Sequence, residues 1–185
     1  QKRKEGERWN NFKLILGNEI YLCRNGLNTD NYDSKKDSFY HFILLALDEE
    51  GHRQIRQLST RAYSQSFVKS KMRRVPTYYS DLEEIIGSNP GHVVGSTACI
   101  GGYFGKTMLK ASKYEKTAPK AFKAEVEKLK AWCQYLQNIF GKENFFLELQ
   151  PSNNQEQVYV NNWLIDFAKQ LEILAIVTTD SHYLT

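Results

Sequence analysis

Apolar and polar positions alternate along the chain in two rhythms, one of strands and one of helices. Residues 13–22 read as a strand, weighted by Leu14, Ile15, Leu16, Ile20 and Leu22. The polar stretch 24–38, rich in Asp and Asn, reads as a loop long enough to be functional or mobile. Residues 39–47 form a near-continuous apolar run, as expected of a strand buried on both faces. Asp48-Glu49-Glu50-Gly51 has the composition of a turn. A helix is predicted over about 52–66, with Ile55, Leu58 and Ala62 on one face. Ser80-Asp81-Leu82-Glu83 has the S-x-x-E form of a capping box and predicts a short helix closed by Gly87. Residues 92–97 read as the next strand. The clearest helix covers 119–140: Phe122, Val126, Leu129, Cys133, Leu136 and Phe140 are spaced 4-3-4-3-4, and Gly141 stands where a C-cap glycine belongs. A strand over 144–150, a helix over 156–171 and a strand over 173–179 complete the series. Five strands alternating with helices predict an α/β fold, a parallel sheet or barrel wound right-handedly.

Composition narrows this only a little. With 185 residues, 41% apolar and 25% charged, the chain fits one domain with a sizeable core. The longest apolar run, Phe42 to Leu47, is far too short to span a bilayer, which takes about 20 residues. No membrane partner is expected. The start at Gln1 suggests a chain cut from something larger. The formal charge of +4 permits a nucleic-acid partner without arguing for one. Three cysteines without CxxC spacing make a disulfide scaffold improbable and favour a reducing, cytoplasmic setting. The eight lysines between Tyr103 and Lys130, set against three glutamates, read first as a solvated helix face.

In such folds chemistry gathers at the carboxyl ends of the strands. Few polar residues are predicted there. Asp180-Ser181-His182 follows the last strand, and in extended backbone its carboxylate and imidazole point the same way. The pair could bind a metal, or the Asp could simply orient a surface histidine. His41 heads an apolar strand, as a hydrogen-bonded core residue or as a ligand. Glu19 lies within the first strand, where a carboxylate is paired, metal-bound or turned to solvent. Cys99 follows the third strand, as a small core residue, a metal thiolate or a nucleophile. Glu148 could face the same site or solvent. Taken together, Glu19, His41, Cys99, Asp180 and His182 supply the mixed O, N and S donors that suit zinc. There is no GxGxxG, Walker or GxSxG motif.

One resemblance runs through nearly the whole chain. It is carried by Ile15-Leu16-Gly17-Asn18-Glu19-Ile20-Tyr21, by His41-Phe42-Ile43-Leu44-Leu45-Ala46, and by Ser96-Thr97-Ala98-Cys99-Ile100-Gly101-Gly102. Asn144-Phe145-Phe146-Leu147-Glu148-Leu149-Gln150 and Val177-Thr178-Thr179-Asp180-Ser181-His182-Tyr183-Leu184 continue it. In this order the segments resemble the PHP (polymerase and histidinol phosphatase) domain of bacterial DNA polymerase III alpha subunits. The resemblance implies part of a distorted seven-stranded β/α barrel with a zinc or manganese cluster at its mouth. It implies Glu19, His41, Cys99, Asp180 and His182 as metal ligands. It also implies phosphoester hydrolysis or 3′-to-5′ exonuclease proofreading in the intact parent, the rest of a DNA polymerase polypeptide as partner, and DNA as substrate.

The family opens with a His-x-His motif and further ligands ahead of the segment matching Ile15, and the chain begins after them. Residues 1–185 are therefore expected to be a PHP domain fragment with an incomplete site, itself inactive. Tyr103 stands where the family often has Glu, and Pro151-Ser152-Asn153 where relatives often carry a His. The alternatives are a purely structural domain bracing the polymerase, a free-standing PHP phosphatase, and a cysteine hydrolase using Cys99, His41 and Asp180.

Overall fold

The computed structural model describes residues 14–179 and residue 181. The strand expected over residues 13–22 is β1 (Gly17–Cys23), and the apolar run is β2 (Tyr40–Ala46). Helix α1 (Glu49–Ser64) follows, then a hairpin of β3 (Phe67–Lys69) and β4 (Met72–Arg74), and the short β5 (Thr77–Tyr78). A single turn α2 (Tyr79–Leu82) widens into a π-helical turn, Glu83–Gly87. Then come β6 (Val93–Ser96), α3 (Tyr103–Ser112), α4 (Pro119–Phe140), β7 (Phe145–Leu149), α5 (Gln155–Leu171) and β8 (Leu174–Val177).

Six strands make one sheet in the order β5-β1-β2-β6-β7-β8, and β3 and β4 pair separately. The sheet is mixed, which corrects the expectation of a parallel one: β2 runs antiparallel to both β1 and β6, while the other pairings are parallel. A loop, and no crossover helix, joins β1 to β2, a connection that leaves the chain free to return antiparallel. The mixed α/β architecture with helices against a central sheet otherwise stands.

One face of the sheet is packed and the other is open. Ile20, Leu22, Phe42, Leu44, Phe145 and Leu147 are buried with α4 residues Phe122, Val126, Leu129, Cys133, Leu136 and Phe140 in one core. The face predicted for α4 is thus the buried one, and Gly141 closes it at φ 94°. The expectation that β2 is buried on both faces fails. Phe42 and Leu44 are buried, whereas His41, Ile43 and Leu45 are half-exposed. Apolar residues on the outer face hid the alternation.

Two local expectations shift. Asp48-Glu49-Glu50-Gly51 is the start of α1, because the Asp48 carboxylate accepts from the Gly51 amide at 2.8 Å as its N-cap. That hydrogen bond, with a second to His92 at 2.7 Å, holds the Asp48 carboxyl below its ordinary range. At the second helix the cap falls earlier than Ser80: buried Asp81 accepts from the Tyr78 amide at 2.8 Å. The hairpin β3–β4 and β5 carry no periodic signal strong enough to predict, whereas α3, unanticipated, buries Phe104, Met108 and Ala111 at helical spacing.

Candidate functional site

The reversal of β2 decides where His41 lies. Because β2 is antiparallel, its first residues stand beside the carboxyl ends of its neighbours, and Tyr21 of β1 pairs directly with His41. Glu19 lies two residues earlier in β1, on the same face as Tyr21. From there it reaches diagonally to His41: Glu19 Oε1 is 2.6 Å from His41 Nδ1. The two side chains keep 43% and 34% of their surface exposed, so this is a rim site and not a core pair.

The third member comes from the loop after β6. Gly101 O accepts from the His41 amide at 3.3 Å, and Gly102 bridges to His41, so the loop folds across the head of β2. Within it Ala98 is left-handed at φ 57°, and the Gly102 amide donates to Cys99 O at 2.9 Å. The turn aims Cys99 Sγ to 3.5 Å from His41 Nδ1 and 3.3 Å from the Gly101 amide. A methyl at Gly101 would come within 3.1 Å of His41 Nδ1 and 3.2 Å of Cys99 Sγ, and one at Gly102 would collide with Thr97 O. The two glycines thus allow the close approach of Cys99 to His41.

Three of the residues singled out in the sequence, Glu19, His41 and Cys99, therefore meet although they span β1, β2 and the loop after β6. Asp180 and His182 lie outside the described residues. Glu19 Oε1 and Cys99 Sγ both approach one nitrogen, His41 Nδ1, so here each engages the imidazole. Among the described residues no group of three or more His, Cys, Asp or Glu is arranged around a common metal position. Their chemistry, a carboxylate, an imidazole and a thiol, is nonetheless a donor set that fits zinc.

The cysteines are not equivalent. Cys23 and Cys133 are buried. Burial pushes the Cys23 thiol up to about 12, and desolvation raises Cys133 strongly as well. Cys99 is half-exposed at the rim.

Glu148 does not face solvent; the pairing of Phe146 with Ser96 and of Ser96 with Ile43 puts it on the same face of the sheet as His41. It is buried, with 6% of its surface exposed. Its carboxylate accepts from Ser96 Oγ at 2.5 Å, Thr178 Oγ1 at 2.6 Å and Gln150 Nε2 at 3.1 Å. Its amide donates to Thr97 Oγ1 at 2.9 Å. One side chain thus ties the ends of β6 and β7 to Thr178, just past β8. The signal available in the sequence was a Glu flanked by Phe146, Leu147 and Leu149, which marks a carboxylate that must be satisfied inside.

The PHP domain family matches residues 1–152. The chain belongs to the PHP domain family. It is 42% identical over 187 aligned positions, covering 98% of the chain, to the probable DNA polymerase YorL of Bacillus subtilis strain 168. It is similarly 42% identical to a DNA-directed DNA polymerase of Bacillus phage SPbeta, again over 98% of the chain. To the DNA polymerase III subunit alpha of Aquifex aeolicus it is 30% identical over 93% of the chain. In length the PHP chain spans only 14%, 14% and 13% of these three relatives. Among its described residues no helix is long and apolar enough to cross a membrane.

Proposed function

We propose that this chain is the PHP domain of a replicative-type DNA polymerase, and that its rim site serves metal-dependent phosphoester hydrolysis. The polymerase assignment is supported by the 42% identity that runs through almost the entire chain to polymerases several times its length. The observation that carries the site is the meeting of Glu19, His41 and Cys99 at the carboxyl rim of the sheet. Asp180 and His182 would complete the set, since Glu148 and Thr178 fix the backbone two residues ahead of Asp180.

In the finer reading the sheet is part of a PHP barrel. Leu174 and Val177 on the edge strand β8 are exposed, which is consistent with further strands covering them in a longer polypeptide. The incomplete ligand set of residues 1–185 belongs to the same proposal.

Zinc, or manganese in its place, would be held by Glu19, His41 and Cys99. A bound ion there supplies Lewis acidity toward a phosphoryl oxygen and makes water a nucleophile at neutral pH. The chain's own contribution is to present a thiol, an imidazole and a carboxylate on one rim.

A second reading, a structural domain that braces the polymerase, is favoured by one observation. The buried Glu148 carboxylate is taken up in tying the ends of β6 and β7 to Thr178, a bracing task and not a ligand's.

Thiol chemistry separates the two. Saturating zinc is expected to slow alkylation of Cys99, and a chelator to restore it, because coordination covers the thiolate. Equal rates with and without zinc would remove Cys99 from the ligand set. For hydrolysis the assay is release of the 3′-terminal nucleotide from a labelled single strand with zinc or manganese. The 185-residue chain is expected to bind at most one zinc and to release nothing detectable. The longer polypeptide is expected to turn over, and Asp180→Asn to abolish that. An inactive long polypeptide would favour the structural reading.

A further inference from the structure

Beside the rim site lies a groove that metal chemistry does not explain. One part is a cleft of about 450 Å³ with Lys35, Lys36 and Tyr40 against Lys106, Lys110 and Tyr114. The other, of about 410 Å³, has Tyr21, Tyr32 and Phe39 against Met72-Arg73-Arg74 of β4. Ser38 and Lys106 line both, so the two clefts adjoin at these residues.

The walls alternate cations with rings. Six lysines and arginines line the groove against two acids, Asp37 and Glu125. Both acids are already paired outside this set, Asp37 with Arg24 at 2.5 Å and Glu125 with Lys128 at 2.8 Å. Lys36 meets Asp33 at 3.6 Å, so the excess of positive charge is carried by Lys35, Lys106, Lys110, Arg73 and Arg74. Arg74 points the same way. Its guanidinium stands 5.3 Å from the centre of the Phe39 ring and 5.8 Å from that of Tyr32, and its buried Nε has no hydrogen-bond partner. Lys106 Nζ lies 5.4 Å from the centre of the Tyr40 ring. The groove also touches the rim site directly, because Tyr21 packs edge-on against His41 with ring centroids 5.5 Å apart.

We propose that this groove binds single-stranded DNA, with Lys35, Lys36, Lys106 and Lys110 on its phosphates and Tyr21, Phe39 and Arg74 against its bases. Cations alone would suit any polyanion. Rings interleaved with them suit a strand whose base faces are free, since every unpaired base can stack. A duplex hides those faces, and an acidic peptide leaves the rings unused. The strand would pass Tyr21 and so run beside His41 and Cys99. The choice of DNA over RNA rests on the polymerase reading above; the groove and its chemistry do not.

The experiment is fluorescence anisotropy of the 185-residue chain with a labelled DNA of about 16 nucleotides, the upper site size of a single stacking module. It is run in EDTA, so that a failed metal site cannot affect the result. Saturable binding is expected, at least about tenfold tighter for the single strand than for its duplex. The double variant Lys106→Ala, Lys110→Ala should weaken binding about tenfold and flatten the salt slope by about 1.4, at roughly 0.7 per lost phosphate contact. Phe39→Leu should weaken binding without changing that slope. Lys110→Gln, at an exposed helix position, repeats the charge test where folding is not at stake, and circular dichroism establishes the fold of each variant. Lys123→Ala, on an exposed turn of α4 outside the groove, should leave binding unchanged. No saturable binding, equal binding of duplex, or an equal loss from Lys123→Ala would overturn the proposal. Tighter binding of RNA of the same sequence would overturn the choice of DNA.

Discussion

Glu148→Ala is expected to destabilise the chain by about 3 kcal/mol, because it strands buried donors that now share one carboxylate. Ser96 Oγ, Thr178 Oγ1 and Gln150 Nε2 all lose their acceptor at once, in a place where only 6% of Glu148 reaches solvent. Each orphaned buried donor costs about 1–3 kcal/mol, partly recovered where a hydroxyl turns to a new acceptor or water enters. For a chain of this size that corresponds to a fall in Tm of about 6–12 °C. Glu148→Gln should be milder, since the amide keeps one oxygen for Thr178 and Gln150 and its nitrogen can donate to Ser96. Urea unfolding of both variants, without metal, measures this. Equal stability of Glu148→Ala and the parent chain would show that the network does not hold the strand ends together.

The second large effect is at His41. His41→Ala is expected to weaken zinc binding at least about a hundredfold, since loss of even an outer-shell partner of a ligand costs about 10–100-fold. Position explains the size: His41 contacts both Glu19 and Cys99, so its removal takes away the group that joins them. Competition titration against a chromophoric chelator gives the affinity. His92→Ala is the control, because His92 is held by Asp48 at the N-terminus of α1. An equal loss in both variants would show that zinc binds without His41.

Much of this was legible in the residues. The α4 heptad-like spacing, with Pro119 at its start and Gly141 after its end, needs only the helical period to be read, and the structure returns the same bounds. Glu19, His41 and Cys99 stood out because polar groups in or next to apolar strands need a reason to be there, and each proves to have the others. Strand direction was not legible. A long polar loop between β1 and β2 reads the same whether the chain returns parallel or antiparallel, and that choice places His41 at the rim. The role of Glu148 was hidden because its partners, Ser96, Gln150 and Thr178, come together only through the pairing of β6, β7 and β8. The groove was hidden likewise. Its lysines sit in a run that reads as a solvated helix face until the loop carrying Lys35 and Lys36 is folded opposite them.

The identity of the atoms around a bound zinc ion tests the metal site most directly. X-ray absorption at the zinc edge of the zinc-loaded chain should show one sulfur at about 2.3 Å with nitrogen and oxygen neighbours at about 2.0–2.2 Å. That sulfur has one source, because burial holds Cys23 and Cys133 as thiols and leaves Cys99 at the rim. Cys99→Ser should remove the sulfur signal. A shell of nitrogen and oxygen alone in the parent chain, or a sulfur signal that survives Cys99→Ser, would contradict the assignment of Glu19, His41 and Cys99 as a metal centre.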